Sequence, residues 1–488
     1  MKRLLVNIFW GGLVFVAVIA AVTVGRALTL ESQQPAIDSS TDLPRLRSGA
    51  VERFAGAIRI PSVSPQAADA EALAPFDTLH TYLETQFPKT HQTLRREVVP
   101  PCNLLYTWEA DSPEHEPAVF MSHLDVVPVE DPEAWRHPPF SGAVADGYVW
   151  GRGTLDVKQG ALAILEATET LIDAGIEPAR DLVYAFGCDE EIGGHQGAKK
   201  LARRLAERGL QAEYVLDEGM AIVDGVMPGV KRPVALVGLA EKGFLTLELT
   251  AAAAGGHASM PPPSTAIGIL AKAVASLEEE PFPTRLSAPA RAMFASVAPA
   301  MPFAMKLVFG NLWIFEPVLL AQMAAKKQTN ATVRTTTAVT MIRGGVQDNV
   351  LPKTARARVN FRIAPGETIA SVIERVKRVI DDPRVRIKKP EASFTSNPSP
   401  VSSPGSEAFA GLRRVVRQVF GEDVLVGPGL TVGGTDSRYF TELAQDVYRF
   451  MPMVLRAGDT ERIHGVNERL GVENYRDMVR YYMLLMQQ

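Results

Sequence analysis

Hydrophobic and polar residues follow different patterns in different parts of this chain, and the first part is almost purely apolar. Residues 4–24 form a nearly unbroken apolar run in which Asn7 is the only strongly polar residue. A helix of about 20 apolar residues spans the hydrocarbon core of a bilayer. The pattern therefore predicts a membrane anchor over residues 1–29, followed by a polar tether over residues 30–45.

A cleaved signal peptide is the alternative to an anchor. Such a peptide has a shorter apolar core and a small-residue cleavage site, whereas Ala-Val-Thr-Val-Gly-Arg follows this run. Lys2 and Arg3 precede the run, and basic flanks stay on the cytoplasmic side. We therefore expect the rest of the chain on the extracytoplasmic (periplasmic or lumenal) side, anchored in the membrane, or secreted if the helix is cleaved.

Strand-like and helix-like segments alternate over residues 46–239. Short apolar runs begin at Ala118 and Leu182, and residues 157–174 between them carry apolar side chains on one helical stripe: Ile164, Leu165, Leu171 and Ile172. This β-α-β order predicts an α/β domain with a mainly parallel sheet and helices on its faces.

Residues 240–392 show a second pattern. Leucines alternate with polar residues from Leu245 to Leu249, as in a half-buried strand, and the later segments continue as helix, strand, strand, helix and strand. A β-α-β-β-α-β order predicts a small antiparallel, ferredoxin-like α+β domain with two helices on one face. It contains an apolar insert over residues 280–328, and residues 393–488 return to the first pattern, so the smaller domain is inserted in the larger one.

The composition is that of a globular protein and excludes one class of partner. The formal net charge is -4 and the pI is near 6.1, without a basic region. Nucleic acid is therefore not expected as a partner. Two cysteines cannot build a disulfide framework and neither lies in a zinc-type pair, so Cys102 and Cys188 are expected to be ordinary thiols.

Candidate chemistry begins where the first apolar run of the β-α-β unit ends. His123 and Asp125 are two residues apart, which places both side chains on one side, where the carboxylate can orient the imidazole. Asp156 follows a Gly-rich turn and precedes a helix, where its two oxygens can bridge two cations. Taken singly, a histidine satisfied in the core and an aspartate that caps a helix are the competing interpretations.

Further acids follow two other predicted strands. Residues 189–191 are three adjacent acids, and Asp217 and Glu218 end another apolar run. The carboxyl ends of parallel strands are where α/β folds bind ligands, and adjacent acids repel one another unless cations neutralise them. A solvated acidic turn is the alternative. Together with His464, these sites supply nitrogen and oxygen ligands suited to zinc or a similar divalent ion.

Taken together, the motifs resemble a known family. Their order along the chain is SHLDVVP, GRGTLDVKQG, DEEIGG, VLDEG, GGHASMPP, GGTDSR and RIHGVNE. This set is similar to the aminoacylase/carboxypeptidase S/succinyl-diaminopimelate desuccinylase family of co-catalytic zinc metallohydrolases, particularly to the carboxypeptidase S and secreted N-acyl-amino-acid hydrolase branch. The resemblance implies a zinc-peptidase-like catalytic domain (residues 46–239 and 393–488) and a lid or dimerisation domain (residues 240–392) through which a homodimer forms.

The resemblance also implies a centre of two zinc ions per subunit, with other divalent ions as alternatives. The implied ligands are two histidines and three acids: His123, Asp156, Glu191, Asp217 and His464. Asp156 would bridge both ions and would be followed by a cis peptide bond. Asp125 would orient His123, and Glu190 would be the general acid/base. Glu218 is the alternative to Asp217, because branches of the family differ in which of the two acids they use.

Substrates of this family present a free carboxylate on the amine side of the scissile amide. The implied substrate contacts are a histidine, an asparagine and two arginines: His257, Asn349, Arg362 and Arg438. Guanidinium groups suit carboxylates because they bind both oxygens, and His257 would act in the site of the partner subunit. The competing interpretations are a turn histidine and, for Arg362, a solvated basic strand face.

The motifs thus indicate hydrolysis of the amide bond of N-acyl-amino acids or small peptides with a free carboxylate. A catalytically inactive zinc-binding protein or a membrane-surface interaction protein is the alternative. The apolar insert is dense between Met301 and Phe315 but is broken by Pro302 and Gly310. It is expected either to be buried against the lid helices or to form an apolar channel or interfacial surface that accepts acyl chains.

Overall fold

The structure, a computed structural model, describes most of the chain: residues 2–37, 43–65, 69–113, 115–227, 229–390 and 394–488. Positions 38–42 of the predicted tether lie outside the described residues. The chain begins with α1 (Lys2–Leu28), and within the described residues α1 is the single unbroken helix long and apolar enough to cross a membrane.

Alternating helices and strands follow up to Glu241. The helices are α2 (Ala50–Ile58), α3 (Ala70–Gln86), α4 (Pro88–Thr93), α5 (Lys158–Asp173) and α6 (Ala198–Glu207). The strands are β1 (Arg95–Val99), β2 (Asn103–Trp108), β3 (Ala118–His123), β4 (Ala143–Ala145), β5 (Tyr148–Trp150), β6 (Leu182–Gly187), β7 (Ala212–Asp217), β8 (Ile222–Val223) and β9 (Val234–Glu241).

The middle of the chain, from Gly243 to Lys388, forms a second group of elements. Its strands are β10 (Gly243–Ala252), β11 (Gly256–His257), β12 (Thr336–Gly344), β13 (Val350–Leu351), β14 (Thr354–Ile363) and β15 (Val385–Lys388). Its helices are α7 (Ala266–Glu279), α8 (Ala288–Val297), α9 (Phe303–Phe309), α10 (Leu312–Ala324), α11 (Lys327–Val333) and α12 (Ile369–Ile380).

The remaining elements complete the larger sheet and its helices. They are α13 (Glu407–Phe420), β16 (Leu425–Thr431), β17 (Ala444–Arg449), β18 (Val454–Leu455), β19 (Arg469–Gly471) and α14 (Val472–Leu485).

A ten-stranded sheet with a parallel centre forms the core of the larger unit. Its order is β1-β2-β6-β3-β7-β17-β9-β8-β18, with β16 paired to β9, and β6, β3, β7 and β17 are parallel to one another. Phe120 and Tyr184 are buried with residues of α5 and α14, whereas Val119 and Val183 are buried with residues of α6. Helices therefore cover both faces, which confirms the predicted α/β class with a mainly parallel sheet.

The second sheet is antiparallel and has its own core. Its order is β12-β14-β10-β15, with α7 and α12 packed on the face that buries Leu245, Leu247 and Leu249. This strand order and the β-α-β-β-α-β sequence of elements are those of a ferredoxin-like unit, as the hydrophobic pattern predicted.

The apolar insert packs mainly against the larger sheet and against itself. Val297 and Met301 are buried with Val234 and Leu425, which belong to β9 and β16. Of the two expectations for the insert, burial against the lid helices is therefore wrong for most of it, although Phe282 joins the core of the second sheet. The helices α9 and α10 are bent by 104° relative to each other.

The two cysteines form a disulfide, Cys102–Cys188, so the prediction of ordinary thiols is wrong. Cys102 directly precedes β2 and Cys188 directly follows β6, and these strands are antiparallel neighbours. The pairing was not visible in the sequence because 86 positions separate the two residues and only the strand register brings them together.

Candidate metal centre

The candidate centre lies at the carboxyl edge of three adjacent parallel strands. β3 ends at His123, β6 is followed by a short turn that holds Glu191, and β7 is followed by Glu218. Asp156 comes from the loop before α5, and His464 comes from the loop before β19. We call these five residues the ligand cluster. The sheet topology thus gathers side chains from distant parts of the sequence, as expected for the ligand edge of an α/β sheet.

Asp156 lies between the two histidines and offers one oxygen to each. Its Oδ1 is 3.1 Å from Nε2 of His123, and its Oδ2 is 3.0 Å from Nε2 of His464. Oε1 of Glu218 is 3.4 Å from the same His123 nitrogen, and Oε2 of Glu191 is 3.1 Å from the His464 nitrogen. The result is two three-residue groups that share Asp156, and within each group the ligand atoms lie within 4.8 Å of one another.

Glu218, and not Asp217, is the acid that the structure brings into the cluster. Asp217 is buried, and its Oδ2 accepts a hydrogen bond from the backbone N–H of Ser437 at 2.8 Å. Successive side chains of a strand point to opposite faces, so the two adjacent acids point in different directions. The preference for Asp217 is corrected on this geometry. The sequence shows both acids but not which of them faces Asp156.

Asp125 lies behind the cluster, fully buried, and contacts three elements at once. Its Oδ1 is 3.4 Å from Nδ1 of His123 and accepts the backbone N–H of Glu190 at 3.1 Å. Its Oδ2 accepts the backbone N–H of Glu191 at 3.2 Å and the hydroxyl of Ser64 at 2.7 Å. One carboxylate therefore fixes both the first histidine and the turn that carries the two glutamates.

The two histidines are held in their charged form by the surrounding carboxylates. Burial lowers the pKa of His123, but hydrogen bonds with Asp125, Asp156 and Glu218 outweigh it and raise the pKa well above its usual value. Hydrogen bonds with Asp156 and Glu191 raise the pKa of His464 to about 10. In the absence of metal, the protonated imidazoles thus supply the positive charge that the acids require.

The pKa values of two of the acids are raised as well, and here burial is the main cause. Burial and the neighbouring charge of Asp156 raise the pKa of Glu218 to about 7. Burial raises the pKa of Glu190 well above its usual value, and its carboxyl group interacts electrostatically with His123 and Glu218. A carboxyl group whose pKa is raised beside a ligand cluster is suited to general acid/base chemistry.

The donor set fits divalent cations. Imidazole nitrogens and carboxylate oxygens are the ligands that zinc takes in catalytic sites. Within the described residues, Oε1 of Glu191 is buried and accepts no hydrogen bond, although it belongs to a residue of the ligand cluster. An orphaned carboxylate oxygen at this place is what a metal ligand leaves when its cation is removed.

Two of the predicted substrate contacts, Arg438 and Arg362, interact electrostatically with each other, and Arg438 also contacts the turn of Glu190. Arg438 donates from Nη2 to the carbonyl oxygen of Gly193 at 2.8 Å, and the guanidinium of Arg362 lies 4.6 Å from the ring centroid of Phe244. Burial, and then the charge of Arg438, lower the pKa of Arg362. Guanidinium groups bind both oxygens of a carboxylate, so this pair remains the candidate contact for the substrate carboxylate.

The other two predicted contacts lie together at an exposed two-stranded sheet formed by segments that are distant in the sequence. His257 is on β11, which pairs with β13, and its Nδ1 is 2.8 Å from the hydroxyl of Ser259. The backbone carbonyl of Asn349 accepts the N–H of Ala258 at 3.0 Å. Within the described part of the chain, no hydrogen bond or ion pair joins either side chain to the ligand cluster.

Glu468 was missed from the sequence, although it positions the loop of Asp156. It is fully buried, and its Oε1 accepts backbone N–H groups from Leu155 at 2.7 Å, from Gly153 at 3.0 Å and from Asp156 at 3.3 Å. Its Oε2 is 2.5 Å from Nη1 of Arg152. The available signal was an acid four positions after His464 in the same motif.

Comparisons with known proteins identify the family of the chain. The sequence model of peptidase family M20/M25/M40 matches residues 119–488. The chain is 39% identical to N-fatty-acyl-amino acid synthase/hydrolase PM20D1.1 of Danio rerio, covering 97% of this chain and 94% of that protein. It is 31% identical to carboxypeptidase S of Saccharomyces cerevisiae, covering 93% of this chain and 87% of that protein.

Solved structures share the fold at low sequence identity. An M20 family metallo-carboxypeptidase from Sulfolobus solfataricus superposes with a TM-score of 0.65 at 17% identity, covering 90% of this chain and 99% of that one. Human carnosine dipeptidase 1 superposes with a TM-score of 0.61 at 15% identity, covering 90% of this chain and 95% of that one. The chain therefore belongs to peptidase family M20/M25/M40 and is a metal-dependent hydrolase of amide or peptide bonds.

Proposed function

We propose that this enzyme uses two zinc ions to hydrolyse the amide bond of N-acyl-amino acids that carry a free carboxylate. The observation that carries the proposal is Asp156, which offers one oxygen to each of two histidine-carboxylate groups. Residues 46–239 and 393–488 would form the catalytic domain, and residues 240–392 would form the lid. The relative named as an N-fatty-acyl-amino acid synthase/hydrolase supports this substrate class.

The five residues of the ligand cluster divide naturally between two ions. His123 and Glu218 would hold one ion, and Glu191 and His464 would hold the other, with Asp156 shared. When bound, the pair of ions would polarise the amide carbonyl and lower the pKa of the attacking water.

Glu190 is the residue of this chain that would move protons. Its backbone N–H is held by Asp125, so the carboxyl group stays beside the cluster. It would take one proton from the attacking water as the water oxygen bonds to the amide carbon. It would then deliver this proton to the nitrogen as the carbon–nitrogen bond breaks. The products are a carboxylic acid and an amino acid, and Glu190 returns to its starting state.

The substrate carboxylate would bind between Arg362 and Arg438. An anion between them would relieve the repulsion that lowers the pKa of Arg362 and would leave the amide facing the turn of Glu190. His257 and Asn349 would serve the site of a partner subunit in a homodimer formed through the lid, which is consistent with their exposed positions at the two-stranded sheet of β11 and β13.

The disulfide supports an extracytoplasmic location. Disulfides persist in oxidising compartments and are rare where thiols are kept reduced. Cys102–Cys188 joins two strands of the catalytic sheet, and Cys188 immediately precedes the acidic turn. The catalytic sheet would therefore mature on the side of the membrane to which α1 directs it.

A substrate panel tests the proposal. The enzyme should release amino acids from long-chain N-acyl-amino acids, lose this activity with a chelator and regain it with zinc. Methyl esters of the same substrates should be poor, because the esters lack the charge that the two arginines bind. Small peptides are the second candidate, favoured by the carboxypeptidase S relative. Failure on the whole panel with zinc supplied would refute the proposal.

A further inference from the structure

The C-terminal turns of α1 are docked onto the apolar insert. Among the described side chains of α1, only Ile19, Thr23 and Ala27 escape full exposure, and they recur every four residues on one helical face. This face contacts α9. The rest of α1, from Leu4 to Val18, is exposed along its whole circumference.

Directional hydrogen bonds fix this contact. Asn311, at the corner between α9 and α10, is fully buried and donates from Nδ2 to the backbone carbonyl of Thr23 at 2.9 Å. Its Oδ1 accepts the indole N–H of Trp313 at 3.2 Å. Nε of Arg26 donates to the backbone carbonyl of Gly310 at 3.2 Å. Because a buried amide without its partner is costly, α1 belongs to the fold of the insert.

The segment after α1 is also bound to the protein. The side-chain amide of Gln34 accepts the N–H of Val426 at 2.8 Å and donates to its carbonyl at 3.0 Å, as a neighbouring strand would. Arg413 donates to the backbone carbonyl of Gln33. The described part of the predicted tether therefore fixes α1 against β16 rather than acting as a free spacer.

Large apolar side chains of α9 and α10 are exposed on the surface of the insert. The exposed fractions are 48% for Phe303, 56% for Trp313 and 57% for Val318. Lys326 and Lys327, which follow the far end of α10, are exposed as well, and exposed basic residues favour anionic lipid headgroups. The 104° bend between α9 and α10 excludes a straight second span.

The length of α1 sets the depth of this surface. At about 1.5 Å per residue, about 20 residues from Leu4 onward cross a hydrocarbon core of about 30 Å and reach Thr23. Thr23 is the residue whose carbonyl binds Asn311. A spanning α1 therefore places the corner of the insert at the boundary between hydrocarbon and headgroups.

We propose that α1, α9 and α10 together form one membrane-docking surface, in which α1 crosses the bilayer uncleaved and the α9–α10 corner lies in the leaflet that faces the catalytic sheet. We take lipid as the occupant of the exposed insert face, because α1, which contacts α9, is the one unbroken helix among the described residues that is suited to cross a bilayer. The proposal is independent of the reaction that the enzyme catalyses.

Tryptophan emission tests the proposal on the full-length protein. Of the five tryptophans, Trp10 and Trp313 are exposed and the other three are buried. The W10F protein is placed in phosphatidylcholine–phosphatidylglycerol vesicles whose acyl chains carry bromine near the headgroup end. The emission of Trp313 is the difference between the emission of W10F and that of W10F/W313F. Bromine near the headgroup end should quench this emission. Bromine near the chain ends should remove less of it.

A matched tryptophan supplies the control. Val346 is 95% exposed on the loop after β12, away from α9 and α10 in sequence. V346W in the W10F/W313F background should be unaffected by bromine. Emission from Trp313 that brominated lipid leaves unchanged would overturn the proposal and would favour a second protein copy on this face. Equal quenching at Trp313 and at V346W would overturn it too. Neither measurement reads turnover, so a failure here is separate from a failure of the proposed function.

Discussion

The ligand cluster and the membrane-docking surface are both assembled from parts of the chain that lie far apart, but they are held together differently. In the cluster, Asp125 and Glu468 fix the backbone of the ligand loops through directional hydrogen bonds. In the docking surface, a small contact between the end of α1 and the insert is fixed by two side chains, Asn311 and Arg26. The cluster thus tolerates little displacement, whereas the docking surface depends on area and on what surrounds it.

This difference decides what each region contributes. Hydrogen-bonded carboxylates at strand ends set the positions of charges to within a fraction of an ångström, as catalysis requires. Apolar contacts are non-directional and roughly proportional to area, so they set affinity for a surface or a chain length. Substitutions in the two regions should therefore have effects of different size and kind.

The largest effect is expected at Glu190. Glu190→Gln removes the proton carrier but keeps the shape of the turn, so kcat should fall by at least about 100-fold while the zinc content stays unchanged. Both quantities can be measured on one preparation, by steady-state kinetics and by elemental analysis.

Glu191→Gln is the matched comparison one residue away. Glu191 contacts His464 with Oε2, so its loss should first lower the zinc content. Exposed Glu133→Gln should change neither quantity. If Glu190→Gln instead loses zinc and keeps its kcat, the roles assigned to Glu190 and Glu191 are wrong.

A smaller effect is expected in the pH dependence of stability. In the metal-free enzyme, hydrogen bonds with Asp156 and Glu191 raise the pKa of His464 from 6.5 to about 10. The folded state therefore binds more protons than the unfolded state in this window, so its stability is full below pH 6.5 and is lost as the pH rises towards 10. Burial raises the pKa of Glu218 from 4.5 to about 7. Between these pH values the folded state again binds more protons than the unfolded state, so this group also makes stability fall as the pH rises.

Thermal denaturation of chelated and zinc-loaded enzyme across this pH range measures the effect. The chelated midpoint should fall with rising pH, and the zinc-loaded midpoint should change less because cations replace the protons. His464→Gln should reduce the slope of the chelated enzyme. A slope that is the same with and without zinc would contradict the proposed role of the cluster.

The smallest effect is expected at the docking surface. If acyl chains enter along the insert, kcat/KM should rise with chain length, since each buried methylene contributes about 0.8 kcal/mol. Trp313→Ser should flatten this rise and leave kcat/KM for short substrates unchanged. The control Val346→Ser should leave the rise unchanged. Phe309 is a poorer probe, because its ring stacks on that of Phe294 at 4.5 Å. Equal efficiency on acetyl and long-chain substrates in the intact enzyme would contradict this role and leave the cluster untouched.

The sequence was informative where function depends on strand ends. Apart from His464, the residues of the cluster lie at or shortly after the end of an apolar run or a Gly-rich turn, so most of the motifs themselves marked the site. The sheet order then brought β3, β6 and β7 side by side. The hydrophobic pattern could not show whether Asp217 or Glu218 faces the cluster, because this depends on how the chain turns after Leu216.

Contacts between distant segments were not predictable in the same way. The disulfide depends on the register of β2 against β6, and Glu468 acts through backbone groups of a loop that the sequence does not place beside it. The apolar content of the insert was evident, but apolar residues do not specify their partner. Its packing against β16 and against α1 required the structure.

The order of the ligands along the chain has a consequence for how the enzyme becomes active. α1 is synthesised before His464, which belongs to the second group of the ligand cluster, and before Glu468, which binds the loop of Asp156. A chain that α1 directs across a membrane is therefore translocated as an incomplete metalloprotein. If the enzyme binds zinc as proposed, the ions would be taken up on the far side of the membrane, so the onset of hydrolysis would depend on the metal supply there.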